Sequence, residues 1–281
     1  MKRILLPTDF SKNSLNAIRY AVQLFKDEKC DFYLLNTYTP TIYFVEFLPV
    51  NPDYSGFSDV IKDNLLNDLN EIKDNLNKEF NNSKHTFITI AAFNMLVLEI
   101  EELVKEREID YIVMGTKGAT GAKEVLFGSN TVHVLKNAKC PVLAIPSDFN
   151  FEAPHEILFP SDYGIDFLDR HIKPILNIAS TFNSRVNILN VSTGYDLTAK
   201  QEKNKKKLDN YFEGIAHLFH SFSYQEVSEA INKFQLKTRV NLLVMINNKH
   251  SFFENLFFKS TINQIGFHLN IPFLVIPSKI A

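Results

Sequence analysis

The chain has 281 residues, enough for roughly two domains at about 150 residues each. Its 45% hydrophobic content excludes whole-chain disorder, and 30 Lys and Arg against 32 Asp and Glu leave no global pull toward nucleic acid or an acidic membrane. The two cysteines, Cys30 and Cys140, form neither a disulfide framework nor a CxxC pair, and read as reduced thiols of a cytoplasmic protein. The apolar run Ile4–Leu6 stops at Pro7, too short for a signal sequence, and no run reaches the roughly 18 residues of a membrane span.

Ile4–Leu6 predicts a first buried strand. Ser11 or Asn13 is placed to cap the next helix, in which Leu15, Ile18, Val22 and Phe25 recur at helical spacing. Asp31–Thr37 predicts a second strand. The stretch Thr39–Tyr54, with Pro40, Pro49 and Pro52, reads as a loop over the sheet edge, either a lid or a dimer contact. Ile61, Leu65, Leu69, Ile72, Leu76 and Phe80 mark a second helix; Thr86–Ala92 a third strand; Leu96–Glu106 a third helix; Tyr111–Met114 a fourth strand. A glycine-rich stretch follows, then a helix around Thr131–Lys136 and a fifth strand at Val142–Ile145. Continuous apolar strands alternating with helices predict a parallel sheet covered on both faces.

The unit then repeats. Arg3–Phe10 returns as Glu156–Tyr163 at an offset of 153, Phe32–Thr37 as Val186–Val191 at 154, and Cys140–Pro146 as Ile271–Pro277 at 131. The falling offset makes the second copy shorter in its middle. The join lies near Ser147–Pro154, a polar stretch ending in proline. In the second copy Leu208, Phe212, Ile215 and Phe219 are assigned to the middle helix. The basic run Lys203–Lys207, broken by Asn204, reads as a solvated helix face, since no aromatic residues interleave it to stack on bases.

The chemistry concentrates in Met114–Thr131, which follows a strand and opens a helix. In open α/β sheets, ligands bind outside the carboxyl ends of the strands. Glycines there let backbone N–H groups approach an anion, and Gly128-Ser129-Asn130 leads into a helix whose free N–H groups favour phosphate. Ser129 adds a hydroxyl, and Lys117 or Lys123 a positive charge. Neither the Walker A spacing nor GxGxxG is present. Judged on this loop alone, the glycines serve a turn as well as an anion site. Asp9 likewise fits a turn as well as a ligand contact.

Gly115-x2-Gly118-x9-Gly128-Ser129 resembles the G-2x-G-9x-G-(S/T) nucleotide-binding signature of the universal stress protein family. The opening Pro7-Thr8-Asp9-Phe10-Ser11, the strand end Val113-Met114-Gly115-Thr116 and the closing Cys140-Pro141-Val142 resemble that family too. The resemblance covers the whole chain and implies an α/β fold of two tandem Rossmann-like domains. Each would be a five-stranded parallel sheet in the order 3-2-1-4-5, flanked by helices, with one domain at 1–148 and the other at 149–281.

Family members that keep the glycine motif bind ATP, so the resemblance implies an adenine nucleotide in the first domain, whether ATP, ADP or AMP. Mg²⁺ would be expected beside a triphosphate, although no carboxylate cluster marks a dedicated metal site. By position, Asp9 would sit at the adenine and ribose, and Thr37 would meet adenine through its backbone. Gly115, Gly118, Gly128, Ser129 and Asn130 would cradle the phosphates, with Lys117 adding charge; Pro7, Thr8 and Met114 complete the expected set.

The second copy departs. At the offset of 131, Gly115 falls on Ile246, Gly118 on Lys249 and Gly128 on Lys259. Side chains there disfavour the positive-φ geometry and close phosphate approach that glycine allows. Ser260 and Asp162 keep the serine and aspartate, while Phe252, Phe253, Phe257 and Phe258 crowd the loop. The second copy is therefore expected not to bind ATP in the family manner and to act as a packing partner, with another ligand or a partner surface made from those phenylalanines as the alternative.

Family members commonly dimerise through their fifth strands. Val142–Ile145 and Phe273–Ile276 would build that arrangement within one chain, a pseudo-dimer, with further homodimerisation and protein partners left open. The expected role is a cytoplasmic stress-response switch or sensor holding one nucleotide, with no nucleic-acid or membrane partner. A slow ATP hydrolase and a nucleotide-free interaction module are the alternatives. For hydrolysis the phosphate-holding groups are present but no base is evident; His85 and His133, nearest in sequence, read as packing or surface residues.

Overall fold

The computed structural model describes residues 1–39, 54–117, 127–192, 194–223, 226–248 and 270–279, with 54–58 given by backbone alone. In the first half, β1 (Lys2–Pro7), α1 (Lys12–Leu24), β2 (Cys30–Tyr38), α2 (Tyr54–Phe80) and β3 (His85–Phe93) lead to α3 (Leu96–Glu106). β4 (Tyr111–Gly115), α4 (Ser129–Asn137) and β5 (Val142–Ile145) complete it. The second half runs β6 (Glu156–Pro160), α5 (Asp169–Phe182), β7 (Arg185–Ser192), α6 (Ala199–Tyr211), β8 (His217–Ser223), α7 (Val227–Lys237), β9 (Leu242–Asn247) and β10 (Phe273–Pro277).

All ten strands form one sheet, ordered β3-β2-β1-β4-β5-β10-β9-β6-β7-β8. Each half contributes five parallel strands in the expected order 3-2-1-4-5. The halves meet where β5 and β10 pair antiparallel, with Leu143 opposite Leu274. That pairing covers two apolar strands whose edges would otherwise be open.

Strand alternation divides the core. Ile4 and Leu6 of β1 and Val113 of β4 face α1 and α2, where Ile18, Tyr20, Leu69 and Leu76 pack. Leu5, Ile112 and Met114 face α3 and α4, meeting Ile100, Leu103, Val134 and Leu135. Burying each such side chain contributes about 1.5–3 kcal/mol, so the strands are held by both faces at once.

Ser11 is the residue that caps α1. Its hydroxyl accepts the Ser14 N–H at 3.2 Å, while Asn13 lies inside the helix. One assignment fails: α6 stops at Tyr211, Phe212 is its C-cap, Ile215 lies in the turn and Phe219 sits on β8. Gly214 interrupts the helical run, and the stretch beyond it is a strand whose Phe219 still packs on the core. Lys203, Lys205, Lys206 and Lys207 do lie on α6, with Asn204 turned inward to the Tyr163 carbonyl at 2.8 Å. The loop expected at Thr39–Tyr54 lies outside the described residues from 40 to 53, and Tyr54 already belongs to α2. Among the described residues no helix is long and apolar enough to cross a membrane.

Candidate functional site

The carboxyl end of β1 is built from backbone pairing and one repeated asparagine. The Thr8 N–H donates to the Leu35 carbonyl at 2.8 Å, and the Asn36 amide donates to the Thr8 carbonyl at 2.8 Å. The Phe10 N–H turns back to the Thr8 hydroxyl at 3.0 Å, which puts Phe10 at φ 62°. That left-handed conformation is uncommon for a bulky residue and stores about 1–3 kcal/mol, so the surrounding bonds must enforce it. The Asp9 carboxylate accepts the Ser11 N–H at 3.1 Å and the Ser11 hydroxyl at 2.6 Å. Asp9 is therefore a turn residue whose side chain remains exposed.

The second half reproduces the backbone of this turn, without the hydroxyl bond that Ser11 gives Asp9, since Gly164 stands at that position. Ser161 N–H reaches the Leu189 carbonyl at 2.9 Å, and Asn190 donates to the Ser161 carbonyl at 2.9 Å. Tyr163 N–H returns to the Ser161 hydroxyl at 3.1 Å, at φ 55°.

Beyond β4 the sequences of the two halves diverge. The Gly128 N–H donates to the Thr116 carbonyl at 2.7 Å, and the Thr131 hydroxyl to the Gly115 carbonyl at 2.9 Å. These bonds pin the start of α4 against the end of β4. Gly128 is the N-cap of α4 and offers no side chain to the first-turn N–H groups. Those donors and the positive end of the helix dipole are thus left for a ligand.

A cleft of about 400 Å³ opens where these pieces meet, at the carboxyl ends of β1, β2 and β4. Pro7, Thr8, Asp9, Thr37, Met114, Gly115, Lys117, Gly128, Ser129 and Asn130 all line it. Gly118 lies outside the described residues. Ser14, Asn36, Leu96 and Thr131 line it as well and were not anticipated. Asn36 carried a readable signal, since it recurs as Asn190 in the matched strands. Leu96, Pro7 and Met114 give the cleft apolar lining, while Ser129, Asn130 and Lys117 bring it donors and a cation. Apolar side chains together with donors and a cation suit a ligand that joins a flat ring system to an anion.

Gly115 and Gly128 do not work through positive φ, contrary to expectation. Gly128 has φ −62°, and among the described residues the glycine with positive φ is Gly194. Gly115 is instead a matter of space. A β-carbon there would lie 2.6 Å from Nδ2 and 2.9 Å from Oδ1 of Asn13, which itself donates to the Lys117 carbonyl. Ile246 fills the matching position at the end of β9; Lys249, Lys259, Ser260 and the four phenylalanines of that loop lie outside the described residues.

The two candidate bases are elsewhere. His85 begins β3 at the opposite end of the sheet, its Nε2 3.1 Å from the Phe25 carbonyl. His133 is exposed on α4 and accepts from Asn137 at 2.9 Å. The thiols of Cys30 and Cys140 are buried, and desolvation pushes both up to about 12, so neither is a poised nucleophile. Among the described residues no group of three His, Cys, Asp or Glu side chains is placed to hold a metal ion. A second, more polar cleft of about 520 Å³ lies at the ends of β7 and β8, lined by Tyr163, Asp196, Glu202, Lys205 and His220 among others.

The family model of the universal stress protein family matches residues 1–146. Universal stress protein MJ0531 of Methanocaldococcus jannaschii is 31% identical over 144 residues, covering 51% of this chain and 81% of that protein. Universal stress protein MJ0577 of the same organism is 29% identical over 153 residues, covering 51% and 94%. A solved universal stress protein from Archaeoglobus fulgidus superposes on 98% of this chain and 96% of its own, with a TM-score of 0.68 at 20% identity, a likeness of fold across both halves. With its first half matched by that family model and its whole length sharing that fold, the chain belongs to the universal stress protein family.

Proposed function

We propose that this protein binds one adenine nucleotide in the cleft of its first half and works as a nucleotide-dependent switch or sensor in a stress response. The observation that carries this reading is the cleft itself, which brings apolar side chains and the N-terminus of α4 together at the ends of β1, β2 and β4. Asp9 and the backbone of Thr37 would hold the nucleoside. The N–H groups opening α4, with Ser129, Asn130 and Lys117, would hold the phosphates. ATP is the species the family motif implies, with ADP and AMP fitting the same donors. Mg²⁺ accompanying a triphosphate would be held by the phosphates themselves, since among the described residues the cleft brings only the Asp9 carboxylate.

We read the chain as two domains, 1–148 and 149–281, that form a pseudo-dimer through β5 and β10, the second without a nucleotide. The turn after β6 keeps its aspartate and asparagine, but Ile246 stands where Gly115 leads into the anion site.

Releasing and identifying nucleotide from gently purified protein, then titrating the stripped chain with ATP, tests the reading. About one adenine nucleotide per chain is expected. No bound nucleotide together with no ATP affinity would overturn it, leaving the cleft a structural turn in an interaction module.

A further inference from the structure

The second half touches the anion-binding end of the first at both ends of one short helix. The ring of Phe127, immediately before the N-cap of α4, packs on Phe273 of β10 with centroids 6.1 Å apart. Both side chains are buried. At the other end of α4, the Asn247 side-chain amide donates to the Leu135 carbonyl at 3.1 Å and to the Lys136 carbonyl at 2.9 Å. Those carbonyls belong to the last turn, which has no intrahelical donors for them. Asn247 follows Ile246 and aligns with Thr116. The copy that replaced its own leading glycine thus uses the next residue to cap the helix of the other copy.

We propose that Asn247 and Phe273 are positioning residues for the first-half cleft: the second half sets the position of α4, and through it the phosphate affinity of a site it does not line. Asn247 anchors the negative end of the helix, and Phe273 supports Phe127 just before its positive end. Nucleotide binding and docking of the halves are then linked, because a ligand that pulls on Ser129 and Asn130 acts on a helix held from both sides by the second half. This inference rests on the nucleotide reading.

The experiment compares ATP with adenosine by calorimetric titration of the full chain, for wild type, Asn247→Ala, Asn247→Asp and Phe273→Leu. Adenosine lacks the phosphates and reports the nucleoside end. Asn247→Ala is expected to weaken ATP about fivefold, the worth of one or two hydrogen bonds. Asn247→Asp sets a carboxylate against helix carbonyls and is expected to weaken it further. Adenosine affinity should stay within about twofold in each variant. Phe273→Leu, which nearly conserves volume, gives a second route should the Asn247 variants fold poorly. Unchanged ATP affinity in all three variants would overturn the proposal. Equal weakening of ATP and adenosine would also overturn it, since that marks general loosening. A wild-type chain that binds neither ligand would instead remove the nucleotide reading, and this inference with it.

Discussion

The side chain of Asn13 occupies the space that a β-carbon on Gly115 would need, and from there it holds the Lys117 carbonyl. Helix α1 and the exit of β4 are thereby fitted to each other one-to-one. Gly115→Ala must displace Asn13 and break that bond, which is expected to lower stability by about 1–2 kcal/mol. Asn13→Ala alone should lower it by about 1 kcal/mol. In the double variant most of the Gly115→Ala loss should disappear, because the clash is gone. Chemical denaturation of the four proteins measures the coupling; strictly additive losses would show that the two side chains do not compete for one space.

The start of α4 makes stability and binding move in opposite directions. Ser129 is the first helical residue, and its N-cap, Gly128, has no side chain with which to cap the turn. Ser129→Asp adds a carboxylate at the positive end of the helix and should stabilise the fold by about 0.3–1 kcal/mol. The same charge repels an incoming phosphate and should weaken ATP by about tenfold or more. Thermal melting and ATP titration of one variant read both signs. A gain in stability with unchanged ATP affinity would remove the anion from this end of the cleft.

Tyr20 lies 1% exposed, with a buried hydroxyl that has no hydrogen-bond partner among the described residues. Burial raises its pKa, so the group stays neutral. Its ring packs against Phe149 and Phe151, which lead from β5 into the second half. Tyr20→Phe keeps those ring contacts and removes an unsatisfied polar atom, so stability should rise by about 1 kcal/mol. For a chain of this size that is a melting-point gain of about 2 °C. A fall in melting temperature would mean that the hydroxyl has a partner in solution.

What could be read from the sequence follows the range of the forces involved. Most of the strands were legible because their apolar runs depend only on local pattern and on burial on both faces; β8, half-buried along its length, was read as the end of the helix before it. The recurrence of the turn at Asp9 as that at Asp162 was legible because the proline, a hydroxyl residue, the aspartate and an aromatic residue return in the same order. The end of α6 was not, because Phe212, Ile215 and Phe219 mimic a helical stripe although two of them lie beyond the helix. The role of Gly115 was legible only in part: its need for a bare α-carbon was clear, but the group filling that space, Asn13, lies 102 positions away in sequence. Ser14 and Leu96 were missed at the cleft for the same reason, since tertiary packing alone brings them there.

Stability should fall as pH drops from about 7.5 to 5.5. The ring of His171 accepts the Leu168 N–H at Nδ1, 3.3 Å away, so its proton sits on Nε2, which donates to the Ser278 carbonyl at 3.0 Å. Desolvation lowers its pKa below the ordinary value, and protonating Nδ1 would break the Leu168 bond at the start of α5. His85 is lowered by burial as well, with a buried Nδ1 that has no partner among the described residues. His220 is lowered by burial too; for His217 burial lowers the pKa, but the bonds to Asp209 and to the Ile215 carbonyl and the Asp209 charge together outweigh it and move the pKa up. A lowered folded pKa means that the unfolded chain binds the extra proton first, at about pH 6.5. The contribution of His85 and His171 is thus complete above that pH and is lost below it, whereas that of His217 runs the other way. His171→Gln, which can accept from Leu168 and donate to Ser278 without titrating, should flatten the decline. Melting temperatures across this range measure it; an equally steep decline in His171→Gln would show that the loss below pH 6.5 comes from other groups.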